Sequence, residues 1–536
     1  MEFPINPELL GTILLSLILI LISVIRIRLL SFPLERDEGE YAYFGQLILD
    51  GVPPYKTAYN LKLPGTYYCY ALIMAVFGQT MEGIRIGLLF FNLGSLIFLY
   101  LTVKKLFNVY TALIACTTTG LLFVSPSVFG QAAHASHFVT FFMLGGTWLL
   151  VKALEKNSSL SFIFSGVMMG LAFLMKQSGI FFSIFGGVMI ILHYFITRSH
   201  RFIQSAGNLA VYSAGVLIPL VLIFVILFWS GVFDKFWFWT MTYPTAYGSR
   251  IPISKAWSSF MMFFPSVYIS FQYLWIAAAL GFLTLFIKKE RLWSRVFVII
   301  FVLFSFFPVI PGFYFRPHYF VTFLPAVGIL TGLIFNFLNT LTEKYFKQIW
   351  VITSAIFIVL VIHGIITLKD FFFTKNPMQV CTLMYEGKNL FSESIPIARF
   401  IQSNTSEKDV IFVCGSEPQI YFYAQRKAAT GYIYMYDLVY DHRYVDQMRS
   451  EMFKEVEEAY PKYIVLVSCP YSWLAKSSFS EPVLSWINKY IKEKNYVVTG
   501  VADFLHPQPT IYLWNDEARD YKIQSKMFMM VLRRPD

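Results

Sequence analysis

The sequence predicts a polytopic α-helical membrane protein with roughly eleven transmembrane helices and a C-terminal α/β domain outside the membrane. Three observations predict this fold. The 536 residues are 57% hydrophobic and only 14% charged, which is more apolar surface than a water-soluble chain of this length can bury. Long apolar runs separated by short polar loops fill the chain up to about Leu368. Beyond that point charges return to an ordinary density and short alternating patterns replace the runs.

The apolar runs are long enough, or nearly so, to cross a hydrocarbon core of about 30 Å. They begin near Leu9, Gly83, Val109, His137, Leu160, Gly179, Gly207, Phe260, Val296, His318 and Trp350. Acidic rather than basic residues precede the first run, and no small-residue cleavage site follows it. We therefore expect the first run to be a retained helix and not a signal peptide.

Basic clusters between the runs indicate the orientation of the chain. If the N-terminus is cytoplasmic, all of these clusters fall on the cytoplasmic side, as the positive-inside rule requires. The clusters are Lys104/Lys105, Lys152/Lys156, Arg198/Arg201, Lys288/Lys289/Arg291/Arg295 and Lys344/Lys347. Arg26 and Arg28 depart from the rule, and we interpret them as candidates for binding lipid phosphate. The net charge of +11 thus reports topology and implies no nucleic-acid partner.

This orientation divides the chain into a membrane domain, residues 1–368, and an outer domain, residues 369–536. The first outer loop, at about residues 31–82, lies on the same face as the outer domain, so chemistry is expected between them. In the outer domain, IPIARFIQSNT and VDQMRSEMFKEVEEAY read as helices. The segments DVIFVCG, YIVLVS, NYVVTGV and PTIYLW read as strands. No glycine fingerprint for a nucleotide is present.

The cysteines give no metal-ligand spacing, and their odd number argues against a complete disulfide framework. They are Cys69, Cys116, Cys381, Cys414 and Cys469. We expect free thiols, although a bridge within the outer domain stays open at this point.

Three carboxylates crowd the start of the first outer loop. Asp37, Glu38 and Glu40 come just after the first apolar run, and Tyr41, Phe44 and Ile48 follow at helical spacing. This spacing predicts a helix that lies flat at the membrane surface and holds the carboxylates there. A fixed carboxylate can take the proton from an acceptor hydroxyl, which makes Asp37 and Glu38 candidate catalytic residues. The alternative is a solvated, acidic helix start.

Two lysines mark apolar boundaries on the same face. Lys62, in NLKLPGTYY, precedes an apolar segment rich in tyrosine, and it either binds an anion or only extends to lipid headgroups. Lys176, in LAFLMKQSG, lies between two short runs at the outer level of the membrane, where an ionisable group is functional by default.

A third cationic site is FYFRPHYF, in which Arg316 and His318 begin a run. A guanidinium group and an imidazolium group can together hold a phosphate. The alternative is an ordinary positive helix end. Arg250, in an outer loop, is a weaker candidate of the same kind. His134 and His137, at i and i+3 without a neighbouring carboxylate, are interpreted as packing residues, and no metal ligand is assigned.

The order of these motifs resembles a known family. An acidic pair in the first outer loop, LKLPGTYY before the second run, KQSG between short runs and RPHYFVTFLPA near the end are similar to the GT-C glycosyltransferases. The chain looks most like bacterial relatives of the protein O-mannosyltransferases and of the aminoarabinose lipid A transferase. The segment IARFIQSNTSEKDVIFVCGSEPQIYFYAQR resembles the outer domain of many bacterial members.

The resemblance implies an inverting transfer of a sugar from a polyprenyl-phosphate donor to a lipid, glycan or protein at the outer face of a bacterial inner membrane. Asp37 falls where the family has its essential acid, and Lys62 falls on the loop lysine that meets the donor phosphate. The lipid A transferase has a glutamate where this chain has Leu61. A metal site of that type is therefore not expected, although a divalent metal remains open because some oligosaccharyltransferases use one.

The mechanism that follows places the donor phosphate on Lys62, Lys176, Arg316 and His318, with Asp37 activating the acceptor from the opposite side of the sugar. One rival is a flippase or transporter of lipid-linked sugars, which would show repeated halves and ionisable groups near the bilayer midplane. A second rival is a polymerase or ligase of lipid-linked glycans. A sugar-binding receptor without catalytic activity would leave the acid unexplained.

Overall fold

A computed structural model describes residues 7–197, 202–248, 251–287, 292–342, 348–474 and 477–535. Within these ranges, nine helices are long and apolar enough to cross a membrane, and two shorter apolar helices, Val109–Phe123 and Ser159–Met175, occupy two further predicted runs. The nine are Glu8–Arg28, Met81–Leu106, Ala135–Lys156, Gln177–Thr197, Phe202–Trp229, Ile253–Ile287, Leu292–Val309, Leu324–Leu341 and Ile349–Thr367. Every predicted run contains one of these helices, and the chain is an integral membrane protein.

The α-helices of this part are α1 (Pro7–Arg28), α2 (Arg36–Leu49), α3 (Gly65–Phe77), α4 (Met81–Leu106), α5 (Val109–Phe123), α6 (Ala135–Lys156), α7 (Ser159–Met175), α8 (Ile180–Thr197), α9 (Phe202–Trp229), α10 (Phe233–Trp237), α11 (Tyr243–Gly248), α12 (Ala256–Tyr268), α13 (Gln272–Ile287), α14 (Leu292–Phe306), α15 (Leu324–Thr342) and α16 (Ile349–Thr367). Side-chain caps explain several of the starts, because a polar side chain accepts a bond from an otherwise unpaired backbone N–H. Thr80, Asn108 and Ser158 do this for α4, α5 and α7.

Ion pairs bring several of the charged residues together at one end of the bundle, while the side of the membrane that this end faces stays a prediction. Lys104 pairs with Glu8, and Lys105 pairs with Glu155, so these groups share one face. Arg198, Arg201, Lys288, Lys289, Arg291, Lys344 and Lys347 lie outside the described residues.

Arg26 is not placed to bind lipid phosphate. Its guanidinium is buried and donates to Asn92 Oδ1 at 2.8 Å and to the carbonyls of Phe123 and Gly130. All three bonds are made by Nη2, and the burial of the side chain inside the protein keeps the guanidinium from a lipid phosphate. The sequence could not show this, because the three acceptors come from distant parts of the chain.

The outer domain contains a six-stranded sheet in the order β2-β1-β3-β6-β4-β5. The strands are β1 (Val410–Cys414), β2 (Lys427–Ala428), β3 (Tyr463–Ser468), β4 (Val497–Asp503), β5 (Ile511–Trp514) and β6 (Phe528–Arg533). The helices are α17 (Pro377–Met384), α18 (Ser394–Ser403), α19 (Gln419–Ala424), α20 (Val445–Ala459), α21 (Pro470–Trp473), α22 (Ser477–Glu493) and α23 (Asp516–Arg519). Strand β1 pairs in parallel with β2 and β3, and the remaining pairs are antiparallel.

All six predicted elements of the outer domain are confirmed, as β1, β3, β4, β5, α18 and α20. Strand β6, which pairs with both β3 and β4 at the centre of the sheet, was not predicted from the sequence, and neither was α22. All five cysteines are buried and unpaired, as expected. The boundary between residues 368 and 369 stays a prediction.

Helix α2 is confirmed, but its surroundings differ from those expected of an interfacial helix. Eleven of its fourteen residues are buried, because α3 covers one side and α19 of the outer domain covers another. The helix starts with a capping box in which Glu35 accepts from the backbone N–H of Glu38 and Glu38 accepts from that of Glu35. The alternative of a solvated acidic helix start therefore does not apply. This arrangement fixes the first turn of α2, which carries Asp37.

Candidate active site

A cavity of about 150 Å³ lies between one end of the membrane helices and the domain formed by the C-terminal part of the chain. It combines residues from the first outer loop, from the starts or ends of α6, α7 and α15, and from the outer domain. The lining residues are Asp37, Tyr41, Asn60, Leu61, Lys62, His134, Ala135, Ser136, Met175, Lys176, Gln177, Arg316, His318, Tyr319, Tyr434, Tyr436 and Asp437. Five of the predicted site residues meet here: Asp37, Lys62, Lys176, Arg316 and His318.

Asp37 stands at the start of α2 with a partly exposed carboxylate. Its Oδ1 accepts from Lys62 Nζ at 2.9 Å and from Tyr434 Oη at 3.3 Å. Burial alone would raise the pKa of Asp37, but the adjacent Lys62 ammonium outweighs it and holds this pKa well below its usual range. The carboxylate is therefore ionised at neutral pH and available to accept a hydrogen bond.

Lys62 does not extend to lipid headgroups. Its ammonium also bonds Glu40 Oε2 at 2.7 Å, and it lies 4.6 Å from the ring centre of Tyr41. Burial raises the pKa of Glu40 to about 7, although Lys62 acts in the opposite direction. Glu40 in turn accepts from Tyr67 Oη at 2.6 Å. Lys62 therefore lies beside Asp37 and not on the opposite side of the cavity, which differs from the predicted arrangement.

Glu38 does not line the cavity. Its buried carboxylate pairs with Arg85 on α4 and accepts from the backbone N–H of Ala133 at 2.5 Å. A carboxylate with these partners has little capacity left to take a proton from an acceptor. The geometry thus assigns Glu38 to holding α2 in place, in contrast to the catalytic role that the sequence suggested.

Lys176 ends α7 in an extended conformation and lies 3.6 Å from the ring centre of Tyr319. No ion pair joins it to a carboxylate in the part of the chain that the structure describes. Burial, together with the Lys62 and Arg316 charges, lowers the pKa of Lys176 to about 7, while Asp37 opposes the change. The next residue, Gln177, donates to the carbonyl of Leu61 at 2.6 Å and so ties this turn to the first outer loop.

Arg316 follows a strained turn in which Gly312, Phe313 and Phe315 have positive φ values. The guanidinium lies 5.7 Å from the ring centre of Tyr314. His318 is buried and stacks on His134 with ring centres 4.0 Å apart. Burial lowers the pKa of His134 to about 4 and that of His318 well below its usual range. His318 is therefore neutral and is not the second cation that the sequence suggested.

Asp37, His134 and His318 form a possible metal-binding group that the sequence analysis did not find. One ligand atom from each lies within 4.8 Å of the other two. Both ring nitrogens of His134 and Nδ1 of His318 are buried and have no hydrogen-bond partner among the described residues, and Glu35 Oε1 lies 3.6 Å from His134 Nδ1. One carboxylate and two neutral imidazoles suit a divalent transition metal. His134 and His318 are far apart in sequence, so spacing gave no signal, and His137 instead contacts Asn92 Nδ2 at 3.3 Å.

Two further outcomes concern the edges of the site. Arg250 lies outside the described residues, so its predicted contact with phosphate stays a prediction. The outer domain contributes Tyr434, Tyr436 and Asp437, which the sequence analysis did not single out. Their segment, YIYMYDL, contains no charge pattern or spacing that marks a site.

The family match covers residues 62–229, which resemble the family described as dolichyl-phosphate-mannose-protein mannosyltransferase. No curated protein sequence matches the chain. Among solved structures, ArnT from Cupriavidus metallidurans bound to undecaprenyl phosphate is similar, with a TM-score of 0.56 and 15% identity over 98% of each chain.

Two structures from Archaeoglobus fulgidus are also similar. The oligosaccharyltransferase AglB in complex with an inhibitory peptide and a dolichol-phosphate gives a TM-score of 0.52 and 11% identity, over 96% of this chain and 75% of that one. An oligosaccharyltransferase complex with Zn and sulfate gives 0.53 and 12%, over 93% and 73%. These likenesses show the fold, which is the GT-C architecture predicted from the sequence.

Proposed function

We propose, from the GT-C fold of the chain and the chemistry of its cavity, that the protein is an inverting glycosyltransferase that uses a polyprenyl-phosphate sugar. The observation that carries this proposal is that an ionised carboxylate, Asp37, and two cations, Lys176 and Arg316, line one cavity. A donor of this class needs cations for its phosphate and a hydrogen-bond acceptor for the attacking hydroxyl. The resemblance to a mannosyltransferase family and to a structure bound to undecaprenyl phosphate supports the same donor class.

Lys176 and Arg316 hold the donor phosphate in this proposal. Lys62 is already neutralised by Asp37 and Glu40, so it has less charge to offer to a phosphate. Lys176 has a cation–π contact with Tyr319 and no ion pair within the described residues. An arginine beside it adds a bidentate donor. The charge on the phosphate grows as the glycosidic bond breaks, and these cations bind the departing phosphate more strongly than the intact donor.

Asp37 orients the acceptor and receives its proton. The acceptor oxygen attacks the anomeric carbon, its O–H proton passes to Asp37, and the bonding pair of the broken C–O bond leaves with the polyprenyl phosphate. One such displacement inverts the anomeric centre. Lys62 acts as a positioning residue, because its 2.9 Å bond to Oδ1 fixes the direction of the carboxylate. A base with a low pKa contributes through orientation and charge more than through strong basicity.

In this proposal Asp37, His134 and His318 are the residues that would hold a divalent cation such as Zn²⁺. The unpartnered imidazole nitrogens fit such an ion. When bound, the ion supplies Lewis-acid stabilisation of negative charge. We expect the purified protein to contain about one equivalent of metal, measured by elemental analysis, and His134→Ala to lose it. His137→Ala is the matched control, since His137 lies outside the group. Equal metal content in wild type and His134→Ala would contradict the assignment.

The site faces the outside of a bacterial inner membrane, and the acceptor is a lipid, a glycan or a protein. The basic residues at the opposite end of the bundle support this sidedness. Labelling of an engineered cysteine at exposed Asp516 by a membrane-impermeant reagent tests it. Labelling of intact cells from the periplasm is expected, and labelling only after inner-membrane lysis would reverse the orientation.

Sugar transfer in proteoliposomes tests the proposed reaction. Wild type, Asp37→Asn and Asp50→Asn are supplied with a panel of radiolabelled polyprenyl-phosphate sugars and candidate acceptors. Asp50 is exposed at the other end of α2, so its substitution controls for a lost charge on that helix. We expect transfer by wild type and Asp50→Asn, and a loss of about 10²- to 10⁴-fold in Asp37→Asn with donor binding retained.

Normal activity of Asp37→Asn would exclude Asp37 as the acceptor-activating group. Movement of labelled lipid across the membrane without transfer would favour a flippase instead. Transfer of an assembled glycan, with no transfer of single sugars, would favour a polymerase or ligase.

A further inference from the structure

The outer domain contributes a short segment, residues 431–437, to the wall of the cavity. Several bonds fix this segment. The carbonyl of Gly431 accepts from the backbone N–H of Tyr59 at 2.8 Å, and the N–H of Met435 donates to Ser416 Oγ at 3.0 Å. Tyr436 Oη donates to the carbonyl of Tyr471 at 2.7 Å. The segment is therefore held from both the first outer loop and the core of the outer domain.

Two tyrosines of this segment, Tyr434 and Tyr436, form an aromatic surface beside Asp37. Their ring centres are 5.5 Å apart with the planes tilted by 41°. Tyr434 is only 6% exposed, yet it lines the cavity and donates to Asp37 Oδ1. The proposed proton transfer and phosphate binding do not require Tyr434. Its position beside Asp37 therefore needs another explanation.

A carboxylate completes this wall. Asp437 is buried, lines the cavity, and accepts from Tyr243 Oη at 2.6 Å through Oδ1. An aromatic surface next to a carboxylate is suited to a sugar ring, whose C–H faces pack on aromatic rings and whose hydroxyls donate to carboxylates. This wall is less suited to binding a cationic ligand, because the Lys62 ammonium already lies 5.9 Å from the ring centre of Tyr434 and would repel it.

The cavity has room for a ring-sized group beside these residues. Its volume of about 150 Å³ is comparable to that of a protein cavity that holds one six-membered ring. With the phosphate on Lys176 and Arg316 and the acceptor hydroxyl on Asp37, the anomeric carbon lies between these groups. The ring attached to that carbon then has the aromatic wall beside it.

We propose that Tyr434, Tyr436 and Asp437 form the subsite for the donor sugar, so that the outer domain selects which monosaccharide is transferred. The ligand class is a single hydroxylated sugar ring on a polyprenyl phosphate. This inference rests on the proposed glycosyltransferase function and assigns a specificity-determining role to residues outside the membrane domain. Tyr434 and Asp437 contact the sugar, whereas Tyr436, bonded to Tyr471 and packed 5.7 Å from Arg36, supports the surface.

The test compares the binding of two kinds of lipid to the full-length protein in nanodiscs. The first is undecaprenyl phosphate without a sugar, and the second is a panel of undecaprenyl phosphates that each carry one monosaccharide. The variants are Tyr434→Phe and Asp437→Asn, which keep the shape of the wall, and Tyr434→Ala, which removes the ring. Tyr432→Phe is the matched control, because Tyr432 is in the same segment, lies outside the cavity and bonds Glu451.

We expect Tyr434→Ala to weaken binding of the preferred sugar-bearing lipid by about tenfold. Tyr434→Phe weakens it by about fivefold, because a sugar hydroxyl then has no phenolic oxygen to donate to. In both Tyr434 variants the Kd for undecaprenyl phosphate without a sugar changes by less than about twofold. Asp437→Asn changes the ratio of kcat/KM between sugars that differ at one hydroxyl by about tenfold. The control variant matches wild type in every measurement.

Equal weakening of both lipids in the Tyr434 variants would overturn the proposal, since it would show a general effect on the phosphate site or on folding. An unchanged ranking of sugars in Asp437→Asn would also overturn it. If the proposed glycosyltransferase function is wrong, the wild-type protein will transfer no sugar and will bind no sugar-bearing lipid better than the bare lipid. That result is distinct from any effect of the variants.

Discussion

At the scale of single residues, the charge on Lys176 depends on pH in the neutral range, because burial and neighbouring cations lower its pKa to about 7. Its ammonium is protonated below that pH and neutral above it, whereas a phosphodiester keeps its negative charge throughout. We therefore expect the Kd for the donor to rise about tenfold between about pH 6 and pH 8. Binding titrations at a series of pH values measure this.

Lys176→Arg provides the control, since a guanidinium stays protonated throughout this range. In this variant the slope of Kd against pH is expected to flatten. A slope that persists in Lys176→Arg would assign the titration to another group.

Glu38 offers a second test at this scale. Glu38→Gln leaves the buried Arg85 guanidinium without its anionic partner, which typically costs about 3–5 kcal/mol of stability. We expect a lower unfolding temperature but a kcat within about threefold of wild type for the folded fraction. Glu386→Gln is the control, because its ion pair with Lys388 is exposed to solvent, and we expect its unfolding temperature to match that of wild type. A large loss of kcat with unchanged stability would return Glu38 to the catalytic group.

The charged residues of the site could be predicted from the sequence, but most of their contact partners could not. Asp37, Lys62, Lys176 and Arg316 stand at apolar boundaries, where a charge is costly and therefore conspicuous. The stacking of His134 on His318 gave no such signal, because it exists only once α6 and the turn before α15 have packed together. The low pKa values of both rings are likewise consequences of that burial.

At the scale of elements, α2 depends on a glycine at its contact with the outer domain. A Cβ atom on Gly39 would lie 2.7 Å from the Cα of Gln419 in α19, so one backbone would have to move. We expect Gly39→Ala to displace the first turn of α2, which carries Asp37, and to lower transfer by about 10²-fold, as a misplacement of about 1 Å can. Activity assays together with thermal unfolding measure the effect.

Gly207→Ala is the matched control for this substitution. Gly207 lies in α9, and a Cβ there would meet no atom within 4 Å. Alanine also favours the helical conformation more than glycine does. Stability at or slightly above that of wild type is expected, and a similar loss in both variants would remove the argument for a specific contact at Gly39.

Hydropathy predicted the membrane helices because lipid imposes a simple requirement on length and composition. It could not predict that α2 is enclosed by protein on two sides, since an amphipathic pattern suits both a lipid surface and a protein surface. Strand β6 was missed for a related reason. Its sequence, FMMVLR, is rich in methionine, which has no strong preference for strands, and only its pairing with β3 and β4 defines it.

At the scale of the whole molecule, Arg36 joins the membrane part to the outer domain. Its guanidinium bonds Glu417 Oε1 at 2.8 Å and lies 5.3 Å from the ring centre of Phe391. Arg36→Met leaves the buried Glu417 carboxylate without a cationic partner, so we expect a stability loss of about 3–5 kcal/mol and faster hydrogen exchange in residues 431–437. The double variant Arg36→Met/Glu417→Gln should recover much of the loss, because no unpaired buried charge remains. Unchanged exchange in Arg36→Met would show that other contacts hold the domain.

The order of motifs along the chain was sufficient to predict the GT-C fold, and the structural likenesses over 98% of the chain agree with that prediction. The contribution of the outer domain to the cavity was not predictable. Strand and helix periodicity identify elements, but they do not show which connecting segment reaches across to another part of the molecule. The segment of residues 431–437 is one of these, and its position depends on contacts with Tyr59 and Ser416.

The bond between Tyr434 and Asp37 joins residues 397 positions apart, and this has a consequence for biosynthesis. At translation rates of about 5–20 residues per second, Tyr434 leaves the ribosome roughly 20–80 s after Asp37. During that interval the membrane helices can insert and present Asp37, but the wall that contacts it does not yet exist. A nascent chain therefore has no complete cavity, and prematurely terminated chains should remain inert towards the lipid donors around them.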